Sequence, residues 1–114
     1  MRRERLFLED IIAAADAIAE FTLHSDQASF ETNPMLRSAV LHQLMIIGEA
    51  VAHLSQELRE RYPGIPWTDI KAFRNIIVHD YFGIDWGEAW RSATARVPVL
   101  RAQIADILRA EFPA

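Results

Sequence analysis

Apolar residues near the start of the chain recur at spacings of three and four: Leu8, Ile11, Ile12, Ala15, Ile18 and Ala19. Each residue of a helix turns the chain by about 100°, so this period puts them on one stripe of a helix over about residues 5–21. Glu4, Glu9, Asp10, Asp16 and Glu20 fall largely outside the stripe, as the solvent face of an amphipathic helix requires. The period then lapses. Residues 24–33 are polar apart from Ala28 and Phe30 and read as a connector with room for one helical turn. Asn33-Pro34 restarts the pattern, because asparagine caps a helix and proline is tolerated at its first position, where no N–H partner exists anyway. Leu36, Val40, Leu41, Leu44, Ile47, Val51, Leu54 and Leu58 then keep the helical spacing to about Arg61. At roughly 1.5 Å per residue this predicts a helix of about 40 Å that sets the long axis.

Two prolines and a glycine in Tyr62-Pro63-Gly64-Ile65-Pro66 leave no continuous helix. A third, shorter helix is predicted over about residues 67–78, with Ile70, Phe73 and Ile77 inward and Phe82-Gly83 marking the exit. Asp85-Trp86-Gly87-Glu88 has the form of a capping box, its two carboxylates positioned to meet free N–H groups. The last helical region covers about residues 86–111, and Pro98 must kink or split it by removing one hydrogen bond. No strand alternation, repeat or low-complexity tract interrupts this. The pattern predicts an all-α antiparallel bundle of four long elements plus a kink. With 114 residues the chain holds one core, so residues 1–114 form one domain.

Composition narrows the function classes. Hydrophobic residues make up 51%, enough for a packed core and too many for a disordered chain. Apolar runs such as Leu44-Met45-Ile46-Ile47 are expected to be broken by charge before they could span a membrane. The basic start carries Glu9 and Asp10 soon after and no small-residue cleavage site, so no secretory signal is expected. The absence of cysteine excludes disulfides, thiolate metal sites and cysteine nucleophiles, and fits a reducing cytoplasm. A net charge of −4 is unlike that of a protein coating nucleic acid, so any RNA contact is local or completed by a second chain.

Lys71, Arg74, Asn75, His79, Asp80 and Tyr81 cluster at the end of the third helix. From spacing alone this reads as the polar face of an amphipathic helix, with a histidine well placed at the negative end of the dipole. On one regular helix Arg74 and Tyr81 lie within roughly 20° of each other, whereas Arg74 and His79 diverge by about 140°. Either the helix loosens before His79 or the working site combines two chains. His42, Glu49 and His53 lie within about 40° of one direction on the long helix. They could ligate a divalent metal, against the plainer reading of a Glu49/His53 surface pair. Trp67, Trp86 and Trp90 read as core or interface anchors, with base stacking as the alternative. Gly48, inside the long helix, points to close approach of a neighbouring helix.

The order Ile46-Ile47-Gly48-Glu49-Ala50, then Ile65-Pro66-Trp67, then Arg74-Asn75-Ile76-Ile77-Val78-His79-Asp80-Tyr81-Phe82-Gly83, then Trp90 and Val97-Pro98, resembles the HepT-like HEPN family over nearly the whole chain. The resemblance implies a homodimeric, metal-independent endoribonuclease that needs no cofactor and acts as the toxin of a toxin–antitoxin system. It implies a minimal nucleotidyltransferase as antitoxin, which in some systems adds AMP groups to the motif tyrosine. Carried over, Arg74 and His79 are the catalytic pair, Asn75 is the supporting polar residue, and Tyr81 is the candidate modification site. Cutting RNA without metal takes a base for the 2′-OH, an acid for the departing 5′-oxygen and positive charge on the phosphorane. Histidine, with an unperturbed pKa near about 6.5, suits the first two roles, and arginine the third. A non-catalytic helical dimer that binds a nucleotidyltransferase or a nucleotide is the alternative, and a metal-dependent hydrolase on His42, Glu49 and His53 a third.

Overall fold

Helix α1 spans Arg2–Thr22 in the computed structural model, which describes residues 2–113. It is followed by α2 (Gln27–Thr32), α3 (Pro34–His53), α4 (Gln56–Arg61) and α5 (Trp67–His79). A 3-10 turn at Tyr81–Gly83 leads to α6 (Trp86–Arg91), which passes through a π-helical turn at Ser92–Arg96 into α7 (Val97–Glu111). No strand occurs among the described residues, and the fold is an all-α bundle. Helix α3 lies between α1 and α5, and α7 packs on the far side of α1.

Neighbours run antiparallel, as long-range bonds show. Ser55, just after α3, donates its backbone N–H to Glu4 in the first turn of α1, at 2.6 Å. Arg61, the last residue of α4, pairs with Glu111, the last of α7, at 2.7 Å and so brings those two C-terminal ends together. Arg101 on α7 donates to Asp16 on α1 at 2.6 Å. Leu8, Ile11, Ala14, Ala15 and Ile18 of α1 meet Val40, Leu41, Leu44, Ile47 and Val51 of α3 and Leu100, Ile104 and Ile107 of α7 in one core. Ala14 takes the inward place expected of Ala19, which is exposed.

The expected helix over 34–61 is two helices. Helix α3 stops at His53, Leu54 and Ser55 adopt extended backbone, and the Ser55 hydroxyl caps α4 by accepting from the Leu58 N–H at 3.1 Å. Its 20 residues give α3 a length of only about 30 Å. Arg37 and Glu49 interrupt α3 as expected, yet it has the length of a membrane-crossing helix and a mean hydropathy of 1.2. Those apolar residues are spent on the core between α1 and α5, where Val40, Leu41, Ile47 and Val51 are buried.

One further segment goes beyond the sequence reading. Residues 27–32 form a true helix, capped by Asp26, whose carboxylate accepts from the Ser29 N–H at 2.8 Å. It exists to bury Phe30, which has no exposed surface and packs against Trp86 and Trp90 at centroid distances of 6.2 and 5.4 Å. Near Pro98 the last helical region is divided into α6 and α7, as expected of a proline there. The π turn directly before it, in which Val97 bonds back to Ser92, widens the helix where proline lacks an N–H to give.

Candidate active site

Helix α5 is anchored at its start by Trp67, a buried residue whose indole N–H is shared between the carbonyls of Arg59 and Tyr62, each at 3.1 Å. This fixes the proline-rich turn and aims α5 along α3. Where the two helices cross, Gly48 faces Arg74: a Cβ at position 48 would collide with Arg74 Cβ and lie 2.7 Å from its Cγ. The glycine expected to mark close helix approach therefore does so, and the residue it admits is the motif arginine.

The guanidinium of Arg74 is engaged on two sides. Nη2 donates to the carboxylate of Glu49, the next residue of α3, and Nη1 donates to Asn75 Oδ1 at 2.9 Å. Its Nε is buried without a partner among the described residues. Of five N–H donors, then, one remains on each terminal nitrogen. The side chain is 27% exposed, so these two donors belong to a cation at the protein surface rather than in the core. Asn75 thus has a visible role: its amide oxygen holds Arg74.

His79 is the last residue of α5 and is exposed. The helix does not loosen before it. Asp80 donates its N–H to Ile76 at 2.8 Å, and Arg74 and His79 stay on one regular helix, pointing about 140° apart. Of the two arrangements the sequence allowed, a loosened helix is therefore ruled out for this chain.

The chain leaves the helix at Asp80, whose φ and ψ are −144° and 57°. Tyr81 consequently does not continue the helical face of Arg74, as a regular helix would have it. Its ring meets the edge of Trp86 at 5.9 Å and that of Phe82 at 5.8 Å. Phe82 is fully exposed and Tyr81 is 44% exposed, whereas Ile84 is buried and pins the turn. Trp86 in turn lies under the guanidinium of Arg37, 4.7 Å from the ring centroid. Phe30, Trp86 and Trp90 thus carry the motif turn, in keeping with the reading of these two tryptophans as anchors. The capping box is half made: Asp85 accepts from the Glu88 N–H at 3.1 Å, while Glu88 turns outward to Arg91 and Arg96.

The alternative set on α3 is dispersed. Glu49 is taken by Arg74, His53 stacks on Phe7 at 5.0 Å, and His42 is exposed. Among the described residues no three His, Asp or Glu side chains are grouped to hold a metal. Sequence reasoning missed Glu49 as the partner of Arg74, although Gly48 already showed which helix face met α5. It also missed Arg37, a residue for which the sequence gives no signal.

Between α5 and the α6–α7 region runs a groove of about 820 Å³ with Leu44 and Ile47 at its floor and Phe73, Ile76, Val97 and Val99 on its walls. Ile76 and Val99 are 40% and 59% exposed there.

Residues 11–107 match the family model described as ribonuclease HepT-like. A protein of Methanocaldococcus jannaschii named "Putative RNase MJ1380" is 38% identical over 90% of this chain and 94% of its own length. A second from the same organism, "Putative RNase MJ0125", is 33% identical over 92% of this chain and 90% of its own. "Probable ribonuclease HepT" of Thermococcus cleftensis is 31% identical over 90% of this chain and 93% of its own. No solved structure matches.

Proposed function

Because this chain belongs to the ribonuclease HepT-like family, we propose that it is a metal-independent endoribonuclease, active as a homodimer, serving as a toxin restrained by a minimal nucleotidyltransferase. The observation that carries this reading is the state of the two motif side chains: Arg74 fixed with donors to spare, and His79 exposed at the helix end.

The chemistry follows from those groups. The guanidinium of Arg74 binds the scissile phosphate and stabilises the charge that grows on its oxygens. An imidazole takes the proton of the 2′-OH as its oxygen attacks phosphorus. The P–O5′ bond breaks, and a second imidazole, already protonated, gives its proton to the 5′-oxygen. The products are a 2′,3′-cyclic phosphate and a 5′-hydroxyl.

One chain brings one motif histidine, on the side of α5 away from Arg74. A two-fold pair with facing motifs brings two, and sets each His79 toward the other chain's Arg74. The apolar groove beside α5, with exposed Ile76 and Val99, and the fully exposed Phe82 supply surface for such pairing. Tyr81, 44% exposed, stands two residues after His79, within reach of a modifying enzyme. An AMP group there adds bulk and negative charge beside the histidine.

The test is cleavage of RNA by purified chain in EDTA, with product ends identified, next to His79→Ala. Cleavage that survives chelation, yields cyclic phosphate and is lost in the variant supports the reading. A variant cutting at the wild-type rate removes the ribonuclease assignment and leaves a binding module in its place. Light scattering after gel filtration gives the oligomeric state, and a monomer near 13 kDa removes the composite site.

A further inference from the structure

We infer that Glu49 is the positioning residue of Arg74, and that Gly48 and Glu49 together form a two-point cradle which aims the arginine at the scissile phosphate; this rests on the ribonuclease reading. Gly48 acts at the root. With no side chain at 48, the Cβ and Cγ of Arg74 lie directly against α3, so the first part of the side chain has one place to go. Glu49 acts at the tip. As the next residue of the same helix, it takes an N–H of Nη2, while Asn75 takes one of Nη1 from the opposite end of the guanidinium.

A planar group held at two nitrogens has a fixed plane. The remaining N–H on each terminal nitrogen is thereby oriented before any substrate arrives. Such preorganisation spares the reaction the cost of aligning a long, flexible side chain in the transition state.

The pair is not explained by stability. Glu49 is 46% exposed and Arg74 27%, and ion pairs at that exposure add little to folding because water screens them. Nor does Glu49 meet the requirements of a proton-transfer group, since its carboxylate is committed to the guanidinium. Its hydrogen bond needs an acceptor in the right place, which an amide oxygen can replace. Its charge partly offsets that of Arg74, which weakens ground-state attraction for the phosphate.

These points separate the two kinetic constants. Glu49→Ala frees the tip and should lower kcat by roughly 10- to 100-fold, the range for a catalytic group displaced by about an ångström. Its KM should hold or fall, and its melting temperature should stay that of the wild type. Glu49→Gln keeps an acceptor and should restore kcat to within about threefold, with a lower KM. Alongside, the Nη–H signals of Arg74 in nitrogen-15 spectra, assigned by their loss in Arg74→Lys, should be separate and slowly exchanging in the wild type and in Glu49→Gln. In Glu49→Ala they should merge and exchange rapidly, because the Nη2 group is free to rotate. Wild-type kcat in Glu49→Ala overturns the proposal, and so does a Glu49→Gln protein as impaired as Glu49→Ala, which would make the carboxylate itself reactive. A matching loss of melting temperature would make the pair structural. If the wild type cuts no RNA, the ribonuclease reading fails by itself, and the Nη–H signals still decide whether Glu49 holds the guanidinium.

Discussion

Gly48 and Arg74 are in direct register across the α3–α5 crossing: a methyl group on the glycine would collide with Arg74 Cβ and stand 2.7 Å from Cγ. The obstructing atoms belong to the root of the side chain and to α5 itself, so relief requires the helices to part. Gly48→Ala should therefore destabilise the protein by about 1–3 kcal/mol, despite the roughly 1 kcal/mol that alanine gains over glycine in a helix. Gly83 provides the contrast. A Cβ there meets the carboxylate of exposed Asp80, the free end of a short side chain that can swing into water. Gly83→Ala should cost well under 1 kcal/mol, within the range of about ±0.5 kcal/mol for most surface changes. Urea denaturation of the two variants checks the ordering, and equal losses would contradict it.

Arg74→Lys should not rescue activity. Lysine retains the charge but offers a single ammonium, so it cannot bond Glu49 and Asn75 while presenting two parallel donors to a phosphate. Cleavage should fall by about 10²-fold or more, as for loss of one donor to a developing oxyanion. Rates against a single-stranded RNA, with matched circular dichroism spectra, measure this. A lysine variant near wild-type rate would mean that charge alone suffices.

Tyr81 should be the acceptor of AMP. Co-expression with a minimal nucleotidyltransferase partner and intact-mass measurement should show added AMP units that vanish in Tyr81→Phe. The phenylalanine retains the edge contact with Trp86, so the turn should persist and the protein should stay folded. A mass gain that survives in Tyr81→Phe would place the modification elsewhere, and no gain would leave restraint to complex formation.

Glu111 ties stability to pH at both ends of the scale. The Arg61 guanidinium, then the Tyr62 hydroxyl, hold its carboxyl below the usual range. A depressed carboxyl stabilises the folded state above its unfolded pKa, and that contribution fades as pH falls from about 4.5 downward. The same bond raises the Tyr62 phenol above its ordinary 10.0, so its contribution is complete below pH 10 and fades as pH climbs through the raised value. Glu111→Gln should flatten both limbs of a plot of denaturation midpoint against pH while leaving the plateau little changed, because the pair lies at the surface with Arg61 half exposed, where water screens it. Limbs as steep as those of the wild type would assign the dependence to other groups.

The long helices were legible because each pays for its existence with a periodic apolar face, and α1, α3, α5 and the α6–α7 region appear where that face does. The motif residues were legible as a cluster, and Gly48 as a point of close approach. Their geometry was not. A 3.6-residue period extended past His79 keeps Tyr81 beside Arg74, but the chain turns at Asp80, a residue with no glycine or proline to announce it. Phe30 escaped for a related reason. A single aromatic among polar neighbours has no period, and its partners Trp86 and Trp90 are near only in the folded chain. Glu49 looked available to His53 because i,i+4 neighbours are visible in one dimension, whereas Arg74 reaches it from another helix.

Nothing in Leu54-Ser55-Gln56 forbids a helix, and among the described residues the break there makes one long-range hydrogen bond, from the Ser55 N–H to the Glu4 carboxylate. The instruction to bend the chain at residue 54 is thus written, in part, at residue 4. A segment of residues 34–61 on its own keeps the Ser55 cap but lacks the Glu4 contact, so the corner between α3 and α4 is made by assembly as well as by local sequence. It follows that α1 supplies more than an apolar face: the carboxylate in its first turn receives the N–H left free where its neighbour stops. The corner from which α4, and with it the Trp67 anchor of α5, departs is thereby tied to the start of α1.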